Sequence, residues 1–465
     1  MRYFILLLLA FVSINLCAQD NTWIGNTGNW NVAANWSLGA IPKESHNVKI
    51  TGSSSKVTVP VAFLAVAKSL SVIDNSKLVN NGTITINTLN TFDGIYNNSS
   101  ITNVGTINIS NTGGAGTVGQ GINNFGLFDN DGVIFMGPDI RETGIWNRTG
   151  STFNNNNEIT FTGSITVCGI DAVGGTFNNY GILDNKANTG NAFILVSGSG
   201  KFFNHPCGII NETTSEQITA THLVNSGIIR LKTSLPTTIT SNSGVLVNPN
   251  GSVISGTNTG RIITNANTIV WTGCGQNGST SNAANWVGLT SSQLADGNDH
   301  VIIPTGPMNT GNYPFHTGPG LNMTSTSIIE INENASITFA DINGNAIQSA
   351  GVINLFGEII VQHSSQNGIR ITNTGTLIGG ANSNITVMNV EQNAIRNDGM
   401  INFSGSITTS TNVGASGINN TNEFNLSGSG EIDIIGAEGV GIINNGDFNT
   451  SGNTSVYINA ALGGG

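Results

Sequence analysis

Residues 81–86 read NGTITI, a bend followed by alternating threonine and isoleucine. Asparagine and glycine tolerate the positive φ angles of tight bends. Apolar residues at every second position are typical of a strand with one buried face. The same alternating pattern recurs as TINI at 106–109 and MINF at 400–403, and an Asp-Gly bend lies at 131–132. The sequence therefore predicts many short strands separated by sharp turns.

A small residue followed by isoleucine marks the length of the repeat. In the C-terminal half each mark is a three-residue segment, a residue followed by Ala-Ile or Gly-Ile, and these segments begin at Asn345, Asn367, Asn393, Ser416 and Val440. In the N-terminal half each mark is a Gly-Ile pair, and these pairs begin at Gly94, Gly121 and Gly144. The spacing varies slightly around a unit of about 24 residues, a length typical of one turn of a solenoid with two or three short strands. We therefore predict an all-β, right-handed parallel β-helix, with essentially no helix after the signal peptide.

The abundant asparagines fit the same fold. A single turn buries too few aliphatic side chains to offset the entropy of ordering its backbone, so turns must stack to be stable. Asparagines stacked turn upon turn at the bends can hydrogen-bond to their own copies. We therefore expect amide ladders along the solenoid.

Two tryptophan-rich segments indicate a duplicated module. Residues 265–304 match residues 21–50 at an offset that grows along the segment, as small loop insertions would produce. The matched residues are Trp23, Gly25, Trp36, Val48 and Ile50, with Trp271, Gly273, Trp286, Val301 and Ile303 as their counterparts. The predicted segments are a signal peptide at 1–18, a Trp-rich cap at 19–68, a first module of about eight turns at 69–268, a second cap or seam at 269–325 and a second module at 326–465.

Residues 1–18 have the features of a secretory signal. Arg2 supplies positive charge, an apolar run follows, and Ala18 ends the segment with a small residue. Cleavage after Ala18 is preferred; lipid attachment at Cys17 is the alternative, although Leu16 is bulkier than a lipoprotein signal requires. No later run reaches the roughly 20 apolar residues that cross a bilayer. We expect an exported protein, extracellular or on the outer cell surface.

The net charge disfavours some classes of partner, and the cysteine count limits the number of disulfides. Without Arg2, 14 basic residues remain against 26 acidic ones, a net charge of −12. Such a charge disfavours nucleic acid and anionic membranes as partners. Three cysteines follow the signal, Cys168, Cys207 and Cys274, so at most one disulfide can form and the sequence does not choose the pair.

The two Trp-rich segments also carry a family resemblance. Trp-x-Gly, Asn-Trp, a proline and Val-x-Ile, followed by turns rich in Asn and Gly, resemble large exported β-helix surface proteins of Bacteroidota-type bacteria. The turns are also similar to adhesin passengers of filamentous-haemagglutinin and autotransporter type. The resemblance covers nearly the whole chain after residue 18 and implies a role at the cell surface. Such proteins often end in a compact sorting domain. The text up to Gly465 stays repeat-like, so we expect a truncated product or a fragment.

Short motifs resemble ligand sites without completing them. Residues 114–119 read GAGTVG, a dinucleotide-binding pattern that needs a helix after its last glycine. Another turn follows, so a flexible turn is preferred. Residues 129–132 and 296–299 bring oxygen atoms together as calcium requires. Val133 stands where a third ligand is needed, so turn chemistry is preferred here as well.

Carboxylates suited to catalysis do not recur at the turn length. Glu431 and Asp433 share one strand face and could pair for acid–base work, but an exposed polar strand explains them equally well. The acidic residues of the first module and the basic residues nearest to them are Asp129, Asp131, Glu142, Glu158, Asp171, Asp184, Arg141, Arg148 and Lys186. Two intervals among the acidic ones come near the turn length without matching it. The histidines, His46 and His300 included, lack metal-ligand spacing. We predict no catalytic residue, no cofactor and no metal site.

Five of the six tryptophans lie in the Trp-rich segments: Trp23, Trp30, Trp36, Trp271 and Trp286. They could stack on sugars, but they stand where an end of the solenoid must be sealed, so packing is preferred. The prediction is a non-enzymatic, secreted or surface-displayed structural or adhesive β-helix. Its expected ligand is a glycan or a host or cell-surface molecule. The alternative is an exported polysaccharide-acting enzyme or carbohydrate-binding module, which an acid–base cluster along one groove would favour.

Overall fold

The alternation read from the sequence is the alternation of buried and outward-facing side chains in the computed structural model. In the strand at 83–87, Ile84 and Ile86 are buried between outward-facing neighbours. The structure describes residues 19–88, 93–112, 119–214, 216–248, 250–258, 261–263, 268–274, 278–282, 285–287, 300–304, 314–410 and 412–459. The predicted signal peptide at 1–18 lies outside these residues. The chain divides into two compact units, Met1–Thr264 and Asn265–Gly465, here called unit 1 and unit 2.

Unit 1 is built from short strands and a 3-10 turn at Ala33–Asn35. The strands are β1 (Gln19–Thr22), β2 (Thr27–Asn29), β3 (His46–Ile50), β4 (Lys56–Val59), β5 (Leu64–Ala67), β6 (Ser69–Val72), β7 (Lys77–Asn80), β8 (Thr83–Asn87), β9 (Ile95–Asn97), β10 (Ser100–Asn103), β11 (Thr106–Ser110), β12 (Ile122–Asn124), β13 (Leu127–Asn130), β14 (Val133–Met136), β15 (Thr143–Asn147), β16 (Thr152–Asn155), β17 (Glu158–Ile165), β18 (Cys168–Val173), β19 (Thr176–Asn179), β20 (Ile182–Thr189), β21 (Ala192–Ser197), β22 (Lys201–Asn204), β23 (Ile209–Glu212), β24 (Ile218–Ala220), β25 (Leu223–Asn225), β26 (Ile228–Arg230), β27 (Thr237–Asn242), β28 (Val245–Val247), β29 (Ile254–Asn258) and β30 (Arg261–Ile263).

Unit 2 continues the same type of element. Its strands are β31 (Thr268–Trp271), β32 (Trp286–Val287), β33 (His300–Ile303), β34 (Phe315–Met323), β35 (Ile328–Ile331), β36 (Ser336–Ser349), β37 (Val352–Leu355), β38 (Glu358–Val361), β39 (Ile369–Ile371), β40 (Thr376–Gly379), β41 (Asn384–Val387), β42 (Ile395–Asn397), β43 (Met400–Phe403), β44 (Ser406–Thr409), β45 (Ser416–Asn420), β46 (Glu423–Leu426), β47 (Glu431–Ile435), β48 (Val440–Asn444), β49 (Asp447–Thr450) and β50 (Ser455–Asn459).

In unit 1 the chain passes through three sheets in rotation. Face 1 has the strand order β1-β3-β6-β9-β12-β15-β18-β21-β24, face 2 β2-β4-β7-β10-β13-β16-β19-β22-β25-β27-β29, and face 3 β5-β8-β11-β14-β17-β20-β23-β26-β28-β30. Strands β3 to β26 make eight circuits that place a strand on every face. Adjacent circuits pair in parallel, as Ile122 with Ile145 on face 1 and Ile101 with Phe128 on face 2. The predicted all-β parallel solenoid is confirmed, and no α-helix occurs in the described residues.

The core of unit 1 consists of columns of like side chains. Because parallel pairing keeps each inward position in register, a residue type repeated at the turn length stacks upon itself. Phe128, Phe153, Phe177 and Phe202 form one such column, with nearly parallel rings whose centroids lie 4.6 to 4.9 Å apart. All four rings are fully buried.

The predicted amide ladders are confirmed. The longest one joins the last residues of successive face-2 strands from β7 to β29 through side-chain hydrogen bonds of 2.7 to 2.8 Å. Its members are Asn80, Asn103, Asn130, Asn155, Asn179, Asn204, Asn225, Asn242 and Asn258. A shorter ladder ends the face-1 strands at Asn97, Asn124 and Asn147. The ladders satisfy buried polar groups at the corners, where the backbone leaves its sheet.

Replacing Asn155 by alanine should destabilise unit 1 by about 2–3 kcal/mol, because it leaves buried polar partners unpaired. Its Nδ2 donates to Asn179 at 2.8 Å and to the Ile182 carbonyl at 3.2 Å, and its Oδ1 accepts from Asn130. The matched control is Asn154→Ala, the neighbouring outward-facing asparagine, with an expected loss below about 1 kcal/mol. Urea unfolding followed by circular dichroism measures both. Equal losses would contradict the ladder's role.

Unit 2 has the same construction with two faces joined. One sheet has the order β32-β31-β33-β35-β37-β40-β43-β46-β49, in which β32 is antiparallel to β31 and the other pairs are parallel. The long strand β36 pairs with β38 through residues 336–339 and with β39 through residues 347–349. It therefore links two faces into one sheet, and later circuits place β41, β44, β47 and β50 on one part and β42, β45 and β48 on the other.

The structure also bears on the disulfide and on the membrane span considered from the sequence. Cys168 is a free, buried thiol, so it takes no part in the single disulfide that the sequence permits. Burial raises its pKa to about 12, with the Thr143 hydroxyl 3.5 Å away. In the described part of the chain, no helix has the length and apolar character of a membrane span.

Candidate functional site

The tryptophans at the start of unit 1 pack against one another. Trp36 forms an antiparallel bridge with Trp23, and their rings meet edge to face with centroids 5.1 Å apart. The Trp36 indole N–H donates to the Trp30 carbonyl at 2.7 Å. All three rings are buried. No free ring face is left for a sugar, which agrees with the packing interpretation.

Unit 2 repeats this arrangement. Trp286 pairs antiparallel with Trp271, and the ring centroids are 4.7 Å apart at 76°. The Trp286 indole N–H donates to the Thr280 carbonyl at 2.8 Å, again to the residue six positions earlier. Both rings are buried. In the described residues around Trp271 and Trp286, unit 2 therefore repeats the strand pairing and indole hydrogen bond of unit 1.

The candidate calcium and acid–base residues that the structure describes take part in contacts between circuits or lie on an outward-facing strand. Asn154 donates to Asp129 and Asn156 donates to Asp131, each at 2.7 Å from the next circuit. Glu431 and Asp433 face outward on β47, on either side of buried Ile432. Residues 114–118 and 296–299, which carry the other two motifs, lie outside the described residues.

The histidines singled out in the sequence have separate partners. The Lys43 backbone N–H lies 3.3 Å from His46 Nδ1, and burial, followed by the Lys43 charge, lowers the His46 pKa. His300 Nε2 lies 3.7 Å from a Glu330 carboxylate oxygen. In the described residues, no three His, Cys, Asp or Glu side chains are grouped as metal ligands.

A different group of side chains stands out on face 1, and we call it the Arg148 cluster. Its members are Asp93, Tyr96, Gln120, Asn123, Phe125, Glu142, Trp146, Arg148 and Asp171. The centre of the cluster is one column of side chains that point outward from face 1. Tyr96, Asn123, Trp146 and Asp171 form this column as register partners on four successive circuits. Each follows a Gly-Ile pair. The glycines are needed because a Cβ at Gly121 would lie 2.5 Å from the Gly144 carbonyl oxygen of the next circuit.

Arg148 lies among aromatic rings. Its guanidinium carbon is 3.0 Å from the centroid of the Trp146 ring and 5.0 Å from that of Phe125. The Phe125 ring in turn lies 5.5 Å from Tyr96. Arg148 and Phe125 occupy equivalent corner positions on adjacent circuits, since the Arg148 amide donates to the Asn124 carbonyl. The corner thus presents a cation between aromatic faces, a stabilising arrangement.

Hydrogen bonds join this corner to two carboxyl groups. The Nε of Arg148 donates to the Asn123 Oδ1 at 3.3 Å, and the Asn123 Nδ2 donates to Asp93 at 2.8 Å. The Gln120 backbone N–H also donates to Asp93, at 3.0 Å, and its side chain donates to Glu142. These bonds link three circuits.

The carboxyl groups are held in environments that favour protonation. Burial raises the pKa of Asp93. Burial, followed by the Asp93 charge, raises the pKa of Glu142. Burial raises the pKa of Asp171 to about 6, with Arg148 opposing the shift and Glu142 adding to it. Several shifted groups in one place are typical of functional sites.

Two polar atoms of the cluster have no hydrogen-bond partner although they are buried. They are Nε1 of Trp146 and Oδ1 of Asp171. Buried donors and acceptors are nearly always paired in folded proteins. Other buried atoms of the described residues share this property, among them Nε1 of Trp23 and of Trp30. The pair in the cluster differs from them in lying beside a guanidinium and two further carboxyl groups.

Asp171→Asn should raise the thermal stability more at pH 7 than at pH 4. The folded-state pKa of Asp171, about 6, lies above the ordinary aspartate value of 3.8. Between these values the folded protein holds a proton that the unfolded chain has released, so the parent loses stability as pH rises. The asparagine variant lacks this loss. Melting temperatures across pH 4–7 measure the difference, and a difference that does not grow with pH would contradict the burial of the carboxylate.

Sequence reasoning reaches only part of this cluster. It names Glu142, Asp171 and Arg148, but not Asp93 and not a shared site. The simplest sequence signal for such a site would be one acidic residue that recurs at the turn length. The column instead holds four different residues, Tyr, Asn, Trp and Asp. A usable signal is present nonetheless: aligning the residues that follow each Gly-Ile pair places 96, 123, 146 and 171 in one column.

Comparison with known proteins adds no functional assignment. The sequence matches no family model, and no curated protein matches it significantly. The function is therefore argued from the geometry.

Proposed function

We propose that the protein is an exported, non-catalytic β-solenoid that acts at the cell surface as a stalk or adhesin. The observation that carries this proposal is the long asparagine ladder of face 2. It joins successive circuits through buried amides. Eight complete circuits at about 4.8 Å each extend about 38 Å along the axis of the solenoid. An elongated element of this kind suits a stalk, and its side faces offer a surface for adhesion.

Export is supported by the signal-like residues 1–18, and the net charge argues against nucleic acid as the ligand. The surface feature best suited to adhesion is the Arg148 cluster, which combines exposed aromatic surface with charged and amide groups. We therefore place ligand binding in unit 1. A glycan or a host or cell-surface molecule is the expected partner.

A polysaccharide-acting enzyme remains the second candidate, and one observation favours it. Asp171, with a pKa of about 6, shares the cluster with Glu142, and such a pair could divide acid and base roles. Against this, Asp93 and Glu142 are both engaged by side-chain hydrogen bonds from Asn123 and Gln120. We therefore retain the non-catalytic proposal.

The proposal predicts no turnover. Incubation with a broad panel of neutral and acidic polysaccharides, with and without calcium, should release no reducing ends and no unsaturated products. The parent and Asp171→Asn should behave alike. If the parent cleaves any substrate and Asp171→Asn does not, the stalk or adhesin proposal is wrong and the protein is a polysaccharide-acting enzyme.

A separate expression experiment tests export. Expressed with residues 1–18 attached in a bacterial host, the chain should reach the outside of the cytoplasmic membrane and begin at Gln19 by mass spectrometry. Retention of residues 1–18 on a cytoplasmic product would contradict the export part of the proposal.

A further inference from the structure

The two unpaired atoms of the Arg148 cluster have complementary needs. Trp146 Nε1 is a donor and Asp171 Oδ1 is an acceptor, and both are buried without a partner. The two residues are register partners on adjacent circuits, where strands lie about 4.8 Å apart. A hydroxyl group accepts one hydrogen bond and donates another. A hydroxyl between these circuits would therefore satisfy both atoms.

Arg148 covers the Trp146 ring beside this position. The guanidinium lies 3.0 Å from the Trp146 centroid, and the side chain is part-exposed. Its Nε is held by Asn123, while its Nη groups donate no hydrogen bond to the described residues. Rotation of the guanidinium off the ring would uncover the Trp146 face, and the proposed site requires this movement because both unpaired atoms are buried in the present arrangement. The freed Nη groups could then donate to further ligand oxygens.

The surrounding surface combines apolar ring faces with hydrogen-bonding groups. Phe125 is 36% exposed and Tyr96 lies against it. A pyranose has the matching pair of surfaces, since its C–H face packs on aromatic rings and its hydroxyls both donate and accept. Among ligands that bring a hydroxyl between Trp146 and Asp171, a saccharide also fills the aromatic corner.

The charges around Arg148 select among saccharides. Three carboxyl groups, those of Asp93, Glu142 and Asp171, act on one guanidinium. When ionised they outnumber it, so the cluster repels a uronate or a sulfated sugar. A neutral saccharide avoids this repulsion and can donate its hydroxyls to the carboxylates.

We propose that the Arg148 cluster is a binding site for a neutral saccharide, with one sugar hydroxyl between Trp146 Nε1 and Asp171 Oδ1 and the sugar C–H face on the aromatic corner. The inference rests on the proposed adhesive function, which requires a ligand, and it names the class of that ligand. The binding is reversible and breaks no bond.

The test is calorimetric titration of residues 19–465 with neutral hexasaccharides of β-1,4-linked glucose, mannose and xylose, and with a galacturonic acid hexamer. We expect binding to a neutral hexasaccharide and at least about tenfold weaker binding to the galacturonic acid hexamer. Trp146→Phe, which keeps a ring but removes the N–H, and Asp171→Asn should each weaken binding at least about tenfold. Asp129→Asn is the matched control on face 2 and should change affinity less than about twofold.

Melting curves of every variant establish that the fold is retained. Binding to none of the neutral hexasaccharides, a preference for the galacturonic acid hexamer, or full affinity in both Trp146→Phe and Asp171→Asn would overturn the site. Cleavage of a bound hexasaccharide would overturn the stalk or adhesin proposal and leave the site intact. Absence of both binding and cleavage would overturn the site and leave the non-catalytic proposal standing.

Discussion

Replacing Glu212 by alanine is expected to destabilise unit 1 by about 4 kcal/mol, because four backbone N–H donors lose the acceptor that they share. Glu212 is 1% exposed at the end of β23. Its Oε1 accepts from the backbone N–H groups of Thr214 and Glu216 at 2.7 and 3.0 Å. Its Oε2 accepts from those of Lys232 and Thr233, both at 3.1 Å.

The size of the effect follows from what remains after the change. Alanine leaves four backbone donors without the acceptor that joins them, and each unpaired buried group costs about 1–3 kcal/mol before relaxation. The carboxylate also ties the corner after β23 to residues 232–233 of the next circuit, so its removal loosens two circuits. Glu212→Gln should lose less, because one oxygen acceptor is kept.

The matched control is Glu158→Ala on face 3. Glu158 is part-exposed, and its carboxylate accepts from the Thr160 hydroxyl at 2.8 Å. Its replacement should cost less than about 1 kcal/mol. Chemical unfolding monitored by circular dichroism compares the three variants. Similar midpoints for Glu212→Ala and Glu158→Ala would show that the Glu212 carboxylate is not a structural link.

The second large effect is expected at the tryptophan pairs. Trp36→Ala and Trp286→Ala should each destabilise their own unit by about 3–5 kcal/mol, the usual cost of deleting a buried large aromatic ring. Trp36 is 1% exposed and Trp286 is 6% exposed. Each change removes an edge-to-face contact with another tryptophan and leaves a backbone carbonyl without its indole donor.

These losses should appear without any ligand, because the rings act by packing. Tyr180→Ala is the control, since this ring is 44% exposed and its loss leaves no deep cavity. Thermal and urea unfolding of the three variants give the comparison. If Trp36→Ala and Trp286→Ala melt like the parent but lose glycan binding, the tryptophans are a binding platform and the packing argument is wrong.

The sequence by itself determined the repeating part of this protein. The alternation in NGTITI and its copies sets which side chains face inward, because successive residues of a strand point to opposite sides. The repeat length then stacks like residues, so the asparagine ladders followed from composition and spacing alone. The packing of Trp36 and Trp286 followed in the same way, from a motif present twice.

Only the tertiary structure decided which side chains of neighbouring circuits contact one another across the corners and loops, as Asp93 and Asn123 do. The marks at Gly94, Gly121 and Gly144 are unequally spaced, so a fixed interval cannot pair side chains across circuits. Pairing depends on where each loop takes up the extra residues, which the hydrogen-bonded register settles. This is why the sequence does not place Asp93 and Asp171 in one cluster, and why it does not predict a charged residue such as Glu212 in the interior. Inward positions repeat and can be read along the chain, whereas the cluster around Arg148 depends on register between turns of unequal length.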